Sequence, residues 1–252
     1  MDQATITKLN KKGKSLKIIE RLQLCLDHFG ESVCLASSLG LEDQLLTHVL
    51  CELIDQPNIF VLDTGRLNQE TYDVMQQTMT RYKFQYQVYF PQANAVQELL
   101  KTKGPNSFYD SIENRKECCS IRKVEPLTRA LEGYNAWITG LRKVQVVTRT
   151  DIELFEYDQT HDMVKVNPLF DWSFDDVFTT IKHESIPYNM LHDHGYPSIG
   201  CQPCTRAVKK GDDLRSGRWW WETPEQKECG LHVVDGKLVP KRMIDNKGVD
   251  NE

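Results

Sequence analysis

"SVCLASSLGLEDQLLTHVLCELI", residues 32–54, runs from an apolar stretch through a turn of small polar residues into an apolar stretch with helical spacing. The pattern predicts a buried strand through "SVCLASS" and a helix through "EDQLLTHVLCELI". It recurs downstream in "IFVLDT" followed by "LNQETYDVMQQTMTRY", and in "FQYQVYF" followed by "NAVQELLKTKG", while "AWITGL" reads as one more short strand. Strands alternating with long helices imply parallel βαβ units. The predicted fold class is therefore α/β, an open and mainly parallel sheet with helices on both faces. Upstream, "SLKIIERLQLCLDHFG" has helical spacing and stops at Gly30. "SFDDVFTTIKHESI" opens with Ser173 as N-cap and two acids in the first turn, both helix-start signals. "DIELFEYDQTHDMVKVNPL" has a turn-rich centre and reads as an irregular or hairpin connection. From about Tyr196 the chain is dense in Gly, Pro, Cys, Arg and Trp without clear periodicity.

A chain of 252 residues can bury a full core, and its formal charge of −5 argues against a dedicated nucleic-acid binder. The N-terminus has basic residues but no apolar core segment, and no apolar run is long enough to span a bilayer. A soluble cytoplasmic protein is expected, with neither nucleic acid nor membrane as partner. In a reducing compartment, the 8 cysteines are not expected to form stable disulfides. Cys25, Cys34 and Cys51 sit in apolar surroundings and read as small core residues. Cys118, Cys119, Cys201, Cys204 and Cys229 have polar, basic or Gly/Pro-rich neighbours and need another account.

In an open parallel sheet, ligands bind outside the carboxyl ends of the strands. "ASSLGLED", residues 36–43, leaves the first strand there, and Ser37, Ser38 and Gly40 can offer hydroxyls and backbone N–H groups to an anion at the positive end of the next helix. "LDTGRLNQETY" leaves the second strand in the same way. Each turn alone is also ordinary capping; two at one sheet edge set a nucleotide site beside capping as the competing reading.

"ENRKECCSIRKVEPL", residues 113–127, places Cys118 and Cys119 side by side in a basic run, and "GCQPC" adds Cys201 and Cys204. Adjacent cysteines cannot easily bond to each other. Four soft ligands suit zinc or an iron–sulfur cluster. Neighbouring side chains on a helix diverge by about 100°, which strains a single small ion but suits a cube with separate irons. The pattern favours the cluster over zinc, with Arg122 or Lys123 offsetting its negative charge. Arg142 and Arg149 in "TGLRKVQVVTR", with Arg215 and Arg218 in "KKGDDLRSGRWWWE", suggest forked recognition of a small oxyanion in a net-acidic chain. Trp219–Trp221 read as packing of a short C-terminal segment. Cys229, in "PEQKECGLH", is reactive only if His232 or basic residues elsewhere favour its thiolate.

From about residue 20 to 233 the chain resembles the phosphoadenylyl-sulfate/adenylyl-sulfate reductases of assimilatory sulfate reduction, in particular the iron–sulfur branch. The matching pieces are "SSLGLED", "LDTGRL", "KECCSIRKVEPL", "ITGLRKVQVVTR", "GCQPCT", "RSGRWW" and "ECGLH". The tail motif together with CC…CxxC is specific; the Ser/Gly turn alone is not. The resemblance implies an adenine-nucleotide α-hydrolase-like fold related to the ATP pyrophosphatases. It implies a [4Fe–4S] cluster on Cys118, Cys119, Cys201 and Cys204, and Cys229 as nucleophile, with His232 holding or polarising the tail and Lys123 coupling the cluster's charge to substrate. The candidate substrate-binding set is Ser37, Ser38, Gly40, Glu42, Asp43, Asp63, Thr64, Gly65, Arg66, Gly140, Arg142, Gln145, Arg149, Arg215 and Arg218. Residues 1–195 are expected to form the nucleotide-binding unit with the first half of the cluster site. Residues 196–252 complete the site and carry the tail, with Pro224 and Gly230 giving it a movable geometry, all within one structural domain.

The implied reaction is thioredoxin-dependent reduction of adenosine 5′-phosphosulfate to sulfite and AMP through an enzyme S-sulfocysteine, with a glutaredoxin-like reductant as the variant partner. A homo-oligomer is compatible with this reading. Leu39 stands where the family often has Phe, and Val144-Gln145-Val146 where it commonly reads acid-Gln-Ser; the second departure sets aside side-chain roles at 144 and 146. Two rivals accompany the reading. One is a reductase of the 3′-phosphorylated nucleotide, or of both nucleotides; the other is a non-catalytic nucleotide sensor bearing a cluster or zinc.

Overall fold

The computed structural model describes residues 2–143, 152–209 and 211–223, together with the backbone of the short paired strands Val233–Val234 and Lys237–Leu238. Two helices, α1 (Gln3–Gly13) and α2 (Ile18–Phe29), lead into strand β1 (Val33–Ser37). Gly30 ends α2 with a positive φ (58°) that suits glycine, as its position in the sequence predicts. The βα alternation then follows as α3 (Leu41–Leu53), β2 (Ile59–Leu62), α4 (Gln69–Tyr82), β3 (Gln87–Tyr89) and α5 (Ala93–Lys103). After α6 (Ile112–Cys119) and α7 (Glu125–Leu131) come β4 (Ala136–Ile138), β5 (Phe155–Asp158), β6 (Met163–Val166) and α8 (Phe174–His183).

The described strands form one six-stranded sheet in the order β3-β2-β1-β4-β6-β5. Every neighbouring pair is parallel except β5–β6. The segment read as a connection is thus a hairpin that belongs to the sheet, because β6 pairs in parallel with β4 through Ala136↔Val164 and Ile138↔Val166. Period-2 alternation explains why both faces are covered. Val33, Leu35, Ile59, Val61, Ala136 and Ile138 enter one core with residues of α2, α3, α4 and α8. Cys34 and Phe60 enter a second core, under Leu127, Ala130 and Leu131 of α7. Cys25 and Cys34 are buried and Cys51 partly so, in keeping with their apolar settings. Ser173 caps α8 reciprocally with Asp176, its hydroxyl accepting from Asp176 N (3.0 Å) while the Asp176 carboxylate accepts from Ser173 N (2.9 Å).

The order reverses between β1 and β4, which makes their carboxyl ends the crevice where a doubly wound sheet takes a ligand. Between α6 and α7 the helix widens to a π-helical turn at Ser120–Val124, directly after the adjacent cysteines. Such a turn re-aims side chains and recurs at functional sites. Among the described residues, no helix is long and apolar enough to cross a membrane.

Candidate functional site

The turn after β1 closes on its own chain. Ser37 Oγ accepts from Leu39 N (3.1 Å), and Leu39 itself is buried in a left-handed conformation (φ 60°). Ser38 donates both its N–H (2.7 Å) and its hydroxyl (2.6 Å) to Asp43 Oδ2. The Gly140 N–H also reaches Asp43, whose carboxyl is pushed up to about 6, chiefly by burial and against the pull of the Ser38 hydrogen bonds. The Ser38 N–H and hydroxyl, the groups expected to face an anion, both meet this buried carboxylate. Gly40 caps α3 through its carbonyl, which accepts from Gln44 N (2.9 Å), while its own N–H turns weakly to Ser38 Oγ (3.4 Å).

Glu42 and Arg142 are likewise committed. Arg142 donates from Nε and Nη2 to Glu42 Oε1 (2.8 Å each) and is 1% exposed. The arginine expected to fork onto an oxyanion therefore ties the start of α3 to the loop after β4. A carboxylate within reach is the stronger claim on a buried guanidinium, since a buried charge needs its partner. Gly140 sits where a Cβ would fall 2.6 Å from Asp43 Oδ1 and 2.7 Å from Glu42 Cβ. Gly140→Ala is expected to cost about 1–3 kcal/mol through overpacking, read as a lower urea midpoint. An unchanged midpoint would show that the crevice can absorb the methyl.

The turn after β2 is built by the same means and points elsewhere. Asp63 accepts from Gly65 N (2.8 Å) and from the Tyr72 hydroxyl (3.1 and 3.0 Å to its two oxygens). Burial, reinforced by that carboxylate, pushes Tyr72 up to about 12. Gly65 takes the left-handed conformation (φ 71°) that this turn needs. Thr64 Oγ1 accepts from Arg66 N (3.2 Å) and lies 3.2 Å from Cys201 Sγ. Arg66 binds Pro105 O and Asn106 Oδ1 and lies over the Phe108 ring. The second turn is thus one wall of the cysteine site.

Cys118, Cys119, Cys201 and Cys204 line a single cavity, and Arg66, Arg115, Arg122 and Lys123 line it with them. Lys123 therefore stands with the cysteines. Arg122 hydrogen-bonds Cys118, donates to Thr64 O (2.6 Å) and keeps a buried Nε with no partner among the described residues. Arg218 donates to Ile199 O (3.0 Å), lies close enough to Cys204 to favour its thiolate, and has a buried Nε in the same condition. Burial first, then the three other thiolates, pushes Cys204 up to about 12; burial also raises Cys118, against Arg122 and Arg66. Among the described residues, no three His, Cys, Asp or Glu side chains gather as they would on one metal ion. The four thiols share the lining of this one cavity.

The CxxC loop is fixed by its own backbone and by the turn after β2. Gln202 N donates to Arg66 O (2.8 Å), Cys204 N to Cys201 O (2.9 Å) and Gly200 N to Thr205 Oγ1 (3.1 Å). Thr205 pairs with Arg218 in an antiparallel bridge, which carries the 215–222 segment back over the loop. Arg215 is half-buried in that segment, its N–H on Asp213 Oδ1 (2.8 Å). Cys229, His232, Gln145 and Arg149 lie outside the described residues, as do Val144, Val146, Pro224 and Gly230. Tyr72 and Gly200 escaped the sequence reading. Tyr72 carries no signal in helical spacing, whereas the glycine directly before CxxC was a readable hint of a close approach.

Comparison with known proteins places these features in a family. The phosphoadenosine phosphosulfate reductase domain model matches residues 32–207. An adenosine 5′-phosphosulfate reductase of Burkholderia cepacia is 45% identical over 243 residues, covering 95% of this chain and 96% of that one. One from Allochromatium vinosum is 48% identical over 202 residues, covering 80% of this chain and 79% of the other. Among solved structures, the phosphoadenylyl-sulfate reductase of Candida auris in a phosphate complex superposes with a TM-score of 0.71 at 27% identity, over 82% of this chain and 98% of that one. The FMN adenylyltransferase of Candida glabrata with FAD and pyrophosphate shares the fold alone, at a TM-score of 0.52 and 14% identity over 98% of this chain and 83% of its own.

Proposed function

Because the chain belongs to the phosphoadenosine phosphosulfate reductase family, we propose that it reduces adenosine 5′-phosphosulfate to sulfite and AMP. The observation that carries this reading is the single cavity ringed by four cysteines and four cations, one wall of which is the nucleotide-side turn Asp63–Arg66. The donor set fits a [4Fe–4S] cluster: four soft ligands line one cavity, and the buried Nε of Arg122, which lines it too, has no acceptor among the described residues. Cys118, Cys119, Cys201 and Cys204 would hold it. When bound it supplies a rigid anionic anchor and a fixed electrostatic field, and no electron transfer is asked of it.

The chain's own residues do the chemistry. The Cys229 thiolate attacks the sulfonyl sulfur; the bond from that sulfur to the phosphate oxygen breaks, and AMP leaves with the electron pair. A reduced thioredoxin thiolate, or one of a glutaredoxin-like protein, then attacks the Cys229 sulfur and expels sulfite with its electron pair, leaving a mixed disulfide. The second thiol of that reductant frees Cys229. The two electrons lost by the dithiol are those gained by the substrate sulfur. Thiolate approaching sulfate is anion against anion, so Lys123, Arg149, Arg215 and Arg218 must offset charge while holding oxygens, with His232 steadying the tail. Arg142, committed to Glu42, shapes the crevice from behind. Residues 1–195 then act as the nucleotide unit and 196–252 as the segment that completes the site, in a cytoplasmic enzyme of sulfate assimilation and cysteine biosynthesis.

The experiment is a comparison of kcat/KM for adenosine 5′-phosphosulfate and its 3′-phosphorylated form, with thioredoxin as reductant and sulfite as readout. The unphosphorylated nucleotide is expected to be preferred. The reverse ranking would transfer the reading to the 3′-phosphorylated substrate, and no sulfite from either would end it.

A further inference from the structure

The segment leading toward Cys229 is clamped to the cysteine helix by a buried ion pair. Arg115, one helical turn ahead of Cys118, donates from Nε and Nη2 to the two carboxylate oxygens of Glu222 (2.8 and 2.7 Å), and both side chains are 3% exposed. Trp219, 1% exposed, is approached both by Arg115 of this pair and by Arg218. The guanidinium carbon of Arg115 is 4.8 Å from its ring centroid and that of Arg218 is 5.0 Å away. Two cations on one indole repel each other, and the Glu222 carboxylate balances one of them.

The backbone tells the same story. Trp219 has φ 41°, a region that bulky L residues avoid. Its N–H donates to Cys204 O (3.0 Å) and its carbonyl accepts from Glu222 N (2.8 Å). Such strain persists where surrounding contacts over-determine the conformation. On the far side, Arg218 is pressed against Gly200, where a Cβ would fall 2.4 Å from its Cζ. Arg218 thus has one place to be as long as Trp219 is held, and Glu222 holds Trp219 through Arg115.

We propose that Glu222 is a positioning residue, which through Arg115 and Trp219 sets the direction of the Arg218 guanidinium toward the sulfonate end of the substrate. The proposal rests on the function given above. It predicts damage confined to the sulfonate, because AMP lacks the group that Arg218 would meet.

The test uses full-length, anaerobically purified protein in a Cys229→Ser background, so that adenosine 5′-phosphosulfate binds without turning over. Glu222→Gln is expected to weaken its affinity about tenfold while leaving AMP within about twofold, at unchanged iron content. In an Arg218→Ala background the same change is expected to add little, since both act on one contact. Equal weakening for both ligands, no weakening of either, or effects of Glu222→Gln and Arg218→Ala that simply multiply would overturn the proposal. If Glu222→Gln loses iron, Glu222→Asp carries the test: it keeps the charge and loses the two-bonded grip, so the same split is expected at smaller size. A protein with Cys229 intact that forms no sulfonate adduct defeats the proposed function whatever Glu222 does. An adduct without the ligand split defeats the Glu222 role alone.

Discussion

Cys229→Ser is expected to abolish sulfite release, by on the order of a thousandfold or more, while iron content and nucleotide affinity stay as they are. The reason is chemical at both steps. A serine hydroxyl is a poor nucleophile without an adjacent base, whereas a thiol titrates near neutral pH and attacks as thiolate. Even a serine that did attack would form a sulfate ester, and thiol exchange needs a sulfur to attack. The loss should therefore appear both in single turnover, as absence of a protein-bound sulfonate, and in steady state with thioredoxin. Binding should be spared, because Cys229 belongs to the tail and not to the turns after β1 and β2. Appreciable sulfite from the serine variant would put the nucleophile elsewhere.

Cys204→Ser is expected to be nearly as damaging for a different reason. Cys204 is the point at which the site and the C-terminal segment meet: its sulfur faces the other three thiols, and its carbonyl receives the Trp219 N–H (3.0 Å). Without an anionic group in the cavity, Arg66, Arg122 and Lys123 line it with no carboxylate among its lining residues. The variant should lose iron and sulfite release together, and should melt lower by roughly 10 °C, the scale of about 3 kcal/mol in a chain of this size. Cys34→Ala is the matched control. That thiol is buried in the core beneath α7, pushed up to about 12 by burial, and is not among the residues that line the cavity. It should cost stability and leave iron untouched. Iron retained by the first variant, or lost by the control, would contradict the assignment of the two cysteine classes.

What could be read in advance was what repeats locally. Val33 and Leu35 alternate with Cys34, so β1 was legible as a strand covered on both faces, and its helix follows in the same 23-residue stretch. Gly30 and Ser173 mark helix ends by chemistry that acts within a turn. The two cysteine pairs, set apart from the core thiols by their basic and Gly/Pro-rich surroundings, line one cavity. Pairings across the chain were not legible, since they leave no period. Arg142 pairs with Glu42, and Arg115 with Glu222, each partner about a hundred residues away. Asp43 takes the donors of Ser38 over five residues, and the Gly140 N–H, nearly a hundred residues on, reaches the same carboxylate. The π-helical turn at Ser120–Val124 was hidden too, because a helix with one wider turn keeps an ordinary charged pattern.

The central claim is that a tail thiol takes the sulfonate directly. Anaerobically purified protein, mixed with adenosine 5′-phosphosulfate in the absence of any reductant and then weighed intact and as peptides, tests it. The account predicts one SO₃ group per chain, located on the peptide containing Cys229, with one AMP released for each. AMP released without a protein-bound sulfonate, or a sulfonate mapped to any other cysteine, would contradict it.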